Sequence, residues 1–204
     1  MRRWWSLIAI GAALAIAASA MESSMARAAS TSTNAPAYAG RQSDDTYSYE
    51  EIVGKGHRFF GRTTKEMASV VEYAFRREGE PNGYIIGEEG SGAIVGGLRY
   101  GEGTLYMKHG VRRKVFWQGP SIGWDFGGNG SRVLVLVYGI DDPSDLYVRF
   151  VGVEGTAYVV GGLGVNFQQH GRLKLAPIRT GVGLRLGLNA GYLKYSEEPT
   201  WNPF

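Results

Sequence analysis

The 204-residue chain contains no cysteine, which excludes disulfides, thiolate catalysis and cysteine-ligated metals. Histidine is scarce: His57, His109 and His170 are the only three, widely spaced and each beside or near a glycine. Ordinary loop histidines account for them, and the scarcity argues against a histidine general base or a metal centre. Charge of either sign is also in short supply. The formal net charge is +3, but Arg2, Arg3, Arg27 and Glu22 all lie in the first 28 residues, and the remainder carries 19 basic and 18 acidic residues. That balance excludes a nucleic-acid or polybasic membrane surface. Nor is there a long hydrophobic run: the apolar stretch Ser6–Ala20 has 15 residues, fewer than the roughly 20 needed to span a bilayer.

Catalytic and phosphate-binding motifs are missing as well. No Gly-x-x-x-x-Gly-Lys-Ser/Thr occurs, and no Gly-x-Gly-x-x-Gly joins a strand to a helix. Asp125-Phe-Gly127 spells a kinase triplet without the catalytic loop or strand lysine that such a site requires. The carboxylate pairs Glu50-Glu51, Glu88-Glu89, Asp141-Asp142 and Glu197-Glu198 are adjacent in sequence, so on a strand they point to opposite faces; solvated turns account for them. No catalytic residue, cofactor or metal ligand emerges, and a non-enzymatic protein is expected.

The N-terminus has a basic start, Met1-Arg2-Arg3, then the alanine-rich run and small-x-small sites at Ala18-Ser19-Ala20 and Ala26-Arg27-Ala28. This is the pattern of a secretory signal peptide. Cleavage is expected near Ala28, with the mature protein in the periplasm. Residues 29–46 are small, polar and aperiodic, as in a flexible linker.

Glycine is abundant. Of 31 glycines, 26 lie between Gly79 and Gly191, a density that disfavours helix and suits bends and bulges in a curved sheet. Before that stretch, Ser48-x-x-Glu51 is a capping box that predicts a short helical turn through Val53, ended by Gly54 and Gly56. Thr63-x-x-Glu66 opens a second pattern: Met67, Val70, Val71, Ala74 and Phe75 recur at helical spacing, which predicts one amphipathic helix over about 64–78. From Tyr84 onward the period is two. Alternation marks strands around Thr104–Lys108, Leu146–Phe150 and Val182–Tyr192. Arg132–Tyr138 is instead apolar at five consecutive positions, as in a strand buried on both faces, one toward a barrel interior and one beneath the helix. Turns are expected at Gly101–Gly103, Lys108–Gly110, Gly127–Gly130, Asp141–Pro143, Gly161-Gly162 and His170-Gly171. The fold class is therefore mainly β: a small glycine-rich antiparallel barrel of about 8–10 strands over residues 47–197, with one amphipathic N-terminal helix and a short tail, 198–204.

Trp117 and Trp124 bracket Gly119-Pro120-Ser121, and Tyr100, Tyr106, Phe116, Phe126 and Tyr138 add to an aromatic-rich region. Core packing explains such a region. A ligand patch also explains it, because aromatic rings offer large contact area. The ligand-binding candidates are Trp117, Pro120, Trp124, Phe126, Tyr106 and Tyr138. The terminal Phe204 invites comparison with outer-membrane barrels, but Pro199 and Pro203 cannot donate ladder hydrogen bonds, and the strands read as shorter than a spanning strand's 9–11 residues.

The segments Gly101-x-Gly-Thr-Leu-Tyr106, Val115–Arg132, Phe150–Tyr158, Gly161–Phe167 and Thr200–Phe204 together resemble the EipA family of alphaproteobacterial periplasmic proteins. The resemblance implies a small soluble β-barrel with a role in cell-envelope integrity and no established enzymatic activity. A more distant likeness, through Trp117-x-x-Pro120, Gly127–Gly130 and Val133–Val137, is to the SYLF (Ysc84-type) domain and implies phospholipid binding. The expected role is non-enzymatic support of the envelope through a lipid, glycan or protein partner. An envelope hydrolase using rim carboxylates and an integral outer-membrane barrel are the alternatives.

Overall fold

The computed structural model describes residues 44–61, 65–92, 98–120, 131–180 and 191–200. The expected export signal and nearly all of the linker lie outside them.

Among the described residues two helices precede the sheet, α1 (Tyr49–Phe60) and α2 (Lys65–Glu78). The α1 capping box forms as expected: the Glu51 amide donates to Ser48 Oγ at 3.3 Å, and the Ser48 amide donates to Glu51 Oε2 at 2.8 Å. The helix does not stop at Gly54 and Gly56, however, but runs on to Phe60 and ends at Gly61, whose φ of 68° suits a left-handed cap. The reason is tertiary. Gly56 is buried against α2, where an added Cβ would approach Met67 Sδ to 2.8 Å. A glycine that costs a helix about 1 kcal/mol here lets two helices touch. The α2 helix matches its periodicity, burying Met67, Val70, Val71, Ala74 and Phe75.

Ten strands follow among the described residues: β1 (Gly83–Gly92), β2 (Leu98–Met107), β3 (Arg112–Pro120), β4 (Ser131–Tyr138), β5 (Arg149–Gly152), β6 (Tyr158–Val160), β7 (Leu163–Val165), β8 (Gln168–His170), β9 (Leu173–Thr180) and β10 (Tyr192–Ser196). All pairings are antiparallel. The order β4-β1-β2-β3-β10-β5-β8-β9 closes on itself through a β9–β4 pairing. β7 and β8 hold one common register against β9, from Leu163↔Thr180 to His170↔Leu173. They form a single stave interrupted where Phe167 turns its backbone to Val153 and Thr156. The barrel thus has eight staves, with β6 added outside β7.

β4 behaves as its double apolarity predicts. Val133, Val135 and Val137 enter the lumen cluster with Ile85, Leu105, Val115, Phe150 and Leu175. Leu134, Leu136 and Tyr138 join a second cluster with the apolar faces of α1 and α2. Hairpin turns with left-handed glycines occur at Gly110, Gly161-Gly162 and Gly171, three of the expected places; Gly127–Gly130 lies outside the described residues.

Three expectations are corrected. Gly101 and Gly103 make no turn but sit inside β2. There a Cβ on Gly103 would come within 2.6 Å of the Ile86 carbonyl oxygen, so these glycines permit close approach of tightly curved strands. Leu146 belongs to a 3-10 turn, Pro143–Leu146, capped by Asp142, and the strand begins at Arg149. Finally, β1, β2 and β3 are nine or ten residues long, longer than the sequence pattern suggested. Most of the strand expected over Val182–Tyr192 lies outside the described residues. In β10 the buried pair is Leu193 and Tyr195, with Tyr192 half-buried outside the lumen cluster.

Candidate functional site on the bare wall

Among the described residues, the helices cover the wall around β4, β1 and β9 and reach Tyr106 on β2, while the outer face of β2 and β3 around Glu102 and Phe116 is bare. Register aligns three rows across β1, β2 and β3: Glu88–Glu102–Phe116, Glu89–Gly101–Trp117 and Gly90–Tyr100–Gln118. Alternation sends the middle row inward and the flanking rows outward. Between the outward rows runs a groove of about 480 Å³, bordered also by Lys114 and by Pro199 and Thr200 of the tail.

The floor is thin because of Gly101. An added Cβ there would lie 2.1 Å from Trp117 Cε2, so the indole occupies the space where a side chain would stand. Trp117 is held in turn by its Nε1, which donates to Glu89 Oε2 at 3.2 Å. The walls are mixed in character. Glu88 and Glu102 face each other across the strands, an unfavourable like-charge pair that is relieved by Arg132 at 4.0 Å from Glu88 and Lys114 at 3.2 Å from Glu102. Lys114 also sits over the Phe116 ring, 5.0 Å from its centroid. Gln118 is only 2% exposed, and its Nε2 has no hydrogen-bond partner among the described residues.

Beneath the groove lies a buried ionic cluster. Arg179 on β9 donates from Nε to Glu89 Oε1 at 2.6 Å and from Nη1 to Asn166 Oδ1 at 2.9 Å. Arg99 Nε is 3.8 Å from the same Glu89 oxygen. Burial pushes the Glu89 carboxyl up, but Arg179, Arg99 and the two hydrogen bonds together pull it below the usual carboxylate range. The pair Glu88-Glu89 is therefore no solvated turn: one carboxylate faces the groove and its neighbour the lumen.

Of the six sequence candidates, Trp117 forms the groove floor. Pro120 ends β3 opposite Leu98. Tyr106 stacks on Tyr84 with centroids 5.0 Å apart, and Tyr138 is buried; both belong to the side facing the helices. Trp124 and Phe126 lie outside the described residues. Trp117, Tyr106 and Tyr138 are thus not gathered into one patch, because strand parity sends Trp117 inward and the two tyrosines outward. Glu88, Glu89, Glu102, Lys114 and Gln118 were missed as groove residues. The one usable signal was the Glu88–Glu102 pairing implied by a β1–β2 hairpin. Among the described residues no three of His, Asp and Glu converge as metal ligands, and no helix is long and apolar enough to cross a membrane.

Comparison with known proteins places this architecture. A crystal structure described as that of a beta-barrel-like, uncharacterized protein from Brucella abortus is similar, with TM-score 0.73 and 61% sequence identity over 78% of this chain and 99% of that one. Nothing matches among curated proteins. The family model described as Envelope integrity protein A matches residues 45–204, which takes in both helices and every stave of the barrel, and the chain belongs to that family, EipA.

Proposed function

We propose that this protein works in the periplasm as a non-catalytic envelope component that holds a neutral glycan in the groove across β1, β2 and β3. The carrying observation is the groove's chemistry: the rings of Tyr100 and Phe116, carboxylate acceptors at Glu88 and Glu102, and the unpartnered Gln118 amide around about 480 Å³. Aromatic faces pack against sugar rings while charged oxygens accept hydroxyl protons. Glu88 and Glu102 are matched by Arg132 and Lys114, so the groove offers anionic headgroups no net positive charge, and the apolar part of the lumen around Val135, Leu105 and Phe150 is lined by fully packed, buried side chains, which favours an external ligand over an enclosed acyl chain. The outward side chains Glu88, Glu102, Lys114 and Arg132 are not those of a lipid-facing band. The family's envelope-integrity designation agrees with a role of this kind.

The opposed Glu88–Glu102 pair favours the hydrolase alternative in geometry alone. Their side chains are 67% and 61% exposed and each faces a cation, whereas a carboxyl acting as an acid is kept in an apolar site. Titration of purified protein with soluble peptidoglycan fragments and neutral envelope polysaccharides separates the readings. Saturable binding that Phe116→Ala or Glu102→Gln removes, with the glycans recovered intact, supports the binding role. Cleaved products point to a hydrolase, and absence of binding to any glycan refutes the proposal.

A further inference from the structure

We infer that the lumen holds a second, independent site, for an oxyanion, in which Arg179 Nη2 and the Tyr195 hydroxyl are the donors. Both groups are buried and lack a hydrogen-bond partner among the described residues, although buried polar groups are nearly always satisfied. They also belong to one cluster. Tyr195 packs against Trp117 with ring centroids 5.8 Å apart, and Trp117 shares Glu89 with Arg179.

The hydrogen-bond inventory shows which kind of group is missing. Glu89 Oε1 accepts from Arg179 and Glu89 Oε2 from Trp117, while Asn166 accepts from Arg179 Nη1. The acceptors of the cluster are engaged, and the two unmet groups can both donate. An acceptor is lacking, and charge decides its type. Glu89 is divided between Arg179 and Arg99, which leaves Arg179 incompletely neutralised in a medium where charge is costly. A negative oxygen bridging guanidinium and phenol offsets that cost, as a neutral water does not. On β7 the residue in register with Arg179 is Gly164, which contributes no side chain. Glu89 pairs with Ser131 and Arg179 with Val133, and Glu89 borders the external groove as well.

The ligand class is a phosphate or carboxylate, free or as the terminal group of a larger molecule. Thermal unfolding and calorimetric titration with inorganic phosphate, acetate and glucose 1-phosphate, each against chloride at matched ionic strength, distinguish these sources. The wild-type protein is expected to show a saturable rise in Tm with at least one oxyanion. Tyr195→Phe, which sacrifices no internal hydrogen bond, should weaken that binding roughly tenfold through loss of one bond to a charged group, and Arg179→Lys should weaken it further. Phe116→Ala should leave it unchanged, since the groove is a separate site. A response to phosphate and acetate no larger than to chloride, or equal oxyanion binding by wild type and Tyr195→Phe, overturns the inference. If Arg179→Lys fails to fold, Tyr195→Phe alone decides.

Discussion

On the covered wall, β4 turns Val133, Val135 and Val137 into the lumen and Leu134, Leu136 and Tyr138 outward beneath the helices, and all six are buried. On the bare wall, β3 buries Val115 and Trp117 but leaves Lys114 and Phe116 facing out, and β2 buries Leu105 beside a more exposed Thr104. The same sheet thus follows two rules. Where α1 and α2 supply a second layer, apolar residues are favoured on both faces. Where water supplies it, alternation is kept. The lumen differs in parallel. Alongside Ile140, Leu146 and Phe150 it is apolar, whereas next to Gly101 it contains Glu89, Arg179 and the Trp117 indole nitrogen. A wall that does not have to bury its outer face can be thinned with glycine and shaped into a groove.

The sharpest way to break this comparison is through the polar lumen. Glu89→Ala is expected to cost about 3–5 kcal/mol in urea unfolding, because it strands the buried Arg179 charge. A cost below about 1 kcal/mol would show that the cluster is solvated. Glu89 lies below the ordinary carboxylate value in the fold. Its contribution is therefore present above the unfolded value of about 4.3 and lost as pH falls through the depressed folded value. Acid titration of stability should accordingly flatten in Glu89→Gln relative to wild type.

Next in size is the contrast between walls. Leu136→Ala beneath the helices should cost about 2–5 kcal/mol, against about 0.5 kcal/mol or less for Thr104→Ala on the bare face. Similar losses at both positions would erase the distinction. Gly101→Ala should cost about 1–3 kcal/mol by overpacking and shift tryptophan fluorescence, since the new methyl displaces the Trp117 ring. An unchanged spectrum would mean that the indole does not fill that gap. Last, Ser48→Ala should cost about 1 kcal/mol by uncapping α1 and should leave glycan binding on the bare wall intact.

Much of the fold was legible in the residues. The 3.6-residue pattern of Met67 to Phe75 placed α2, since an amphipathic stripe needs only an apolar surface to cover. The unbroken apolarity of Val133–Val137 placed β4 between two layers, and the glycines at 110, 161, 162 and 171 marked turns that need positive φ. The site was less legible. Listing aromatics by sequence grouped Trp117 with Tyr106 and Tyr138, but a barrel sorts residues by parity and by which wall they occupy. The burial of Glu89 was hidden because its neutralising partner, Arg179, is 90 residues away in sequence.

Local sequence therefore determined what each segment had to be: helix where apolar spacing follows 3.6 residues, strand where it follows two or is unbroken between β-branched residues, turn where only glycine fits. Closure of the barrel decided the rest. It carried α1 through Gly54 and Gly56, because Gly56 is needed against Met67. It placed Gly101 inside β2, because Trp117 takes that space. It drew Glu89, Arg99 and Arg179 into one buried cluster. These outcomes depend on contacts between residues distant in sequence, and only the folded chain brings such residues together.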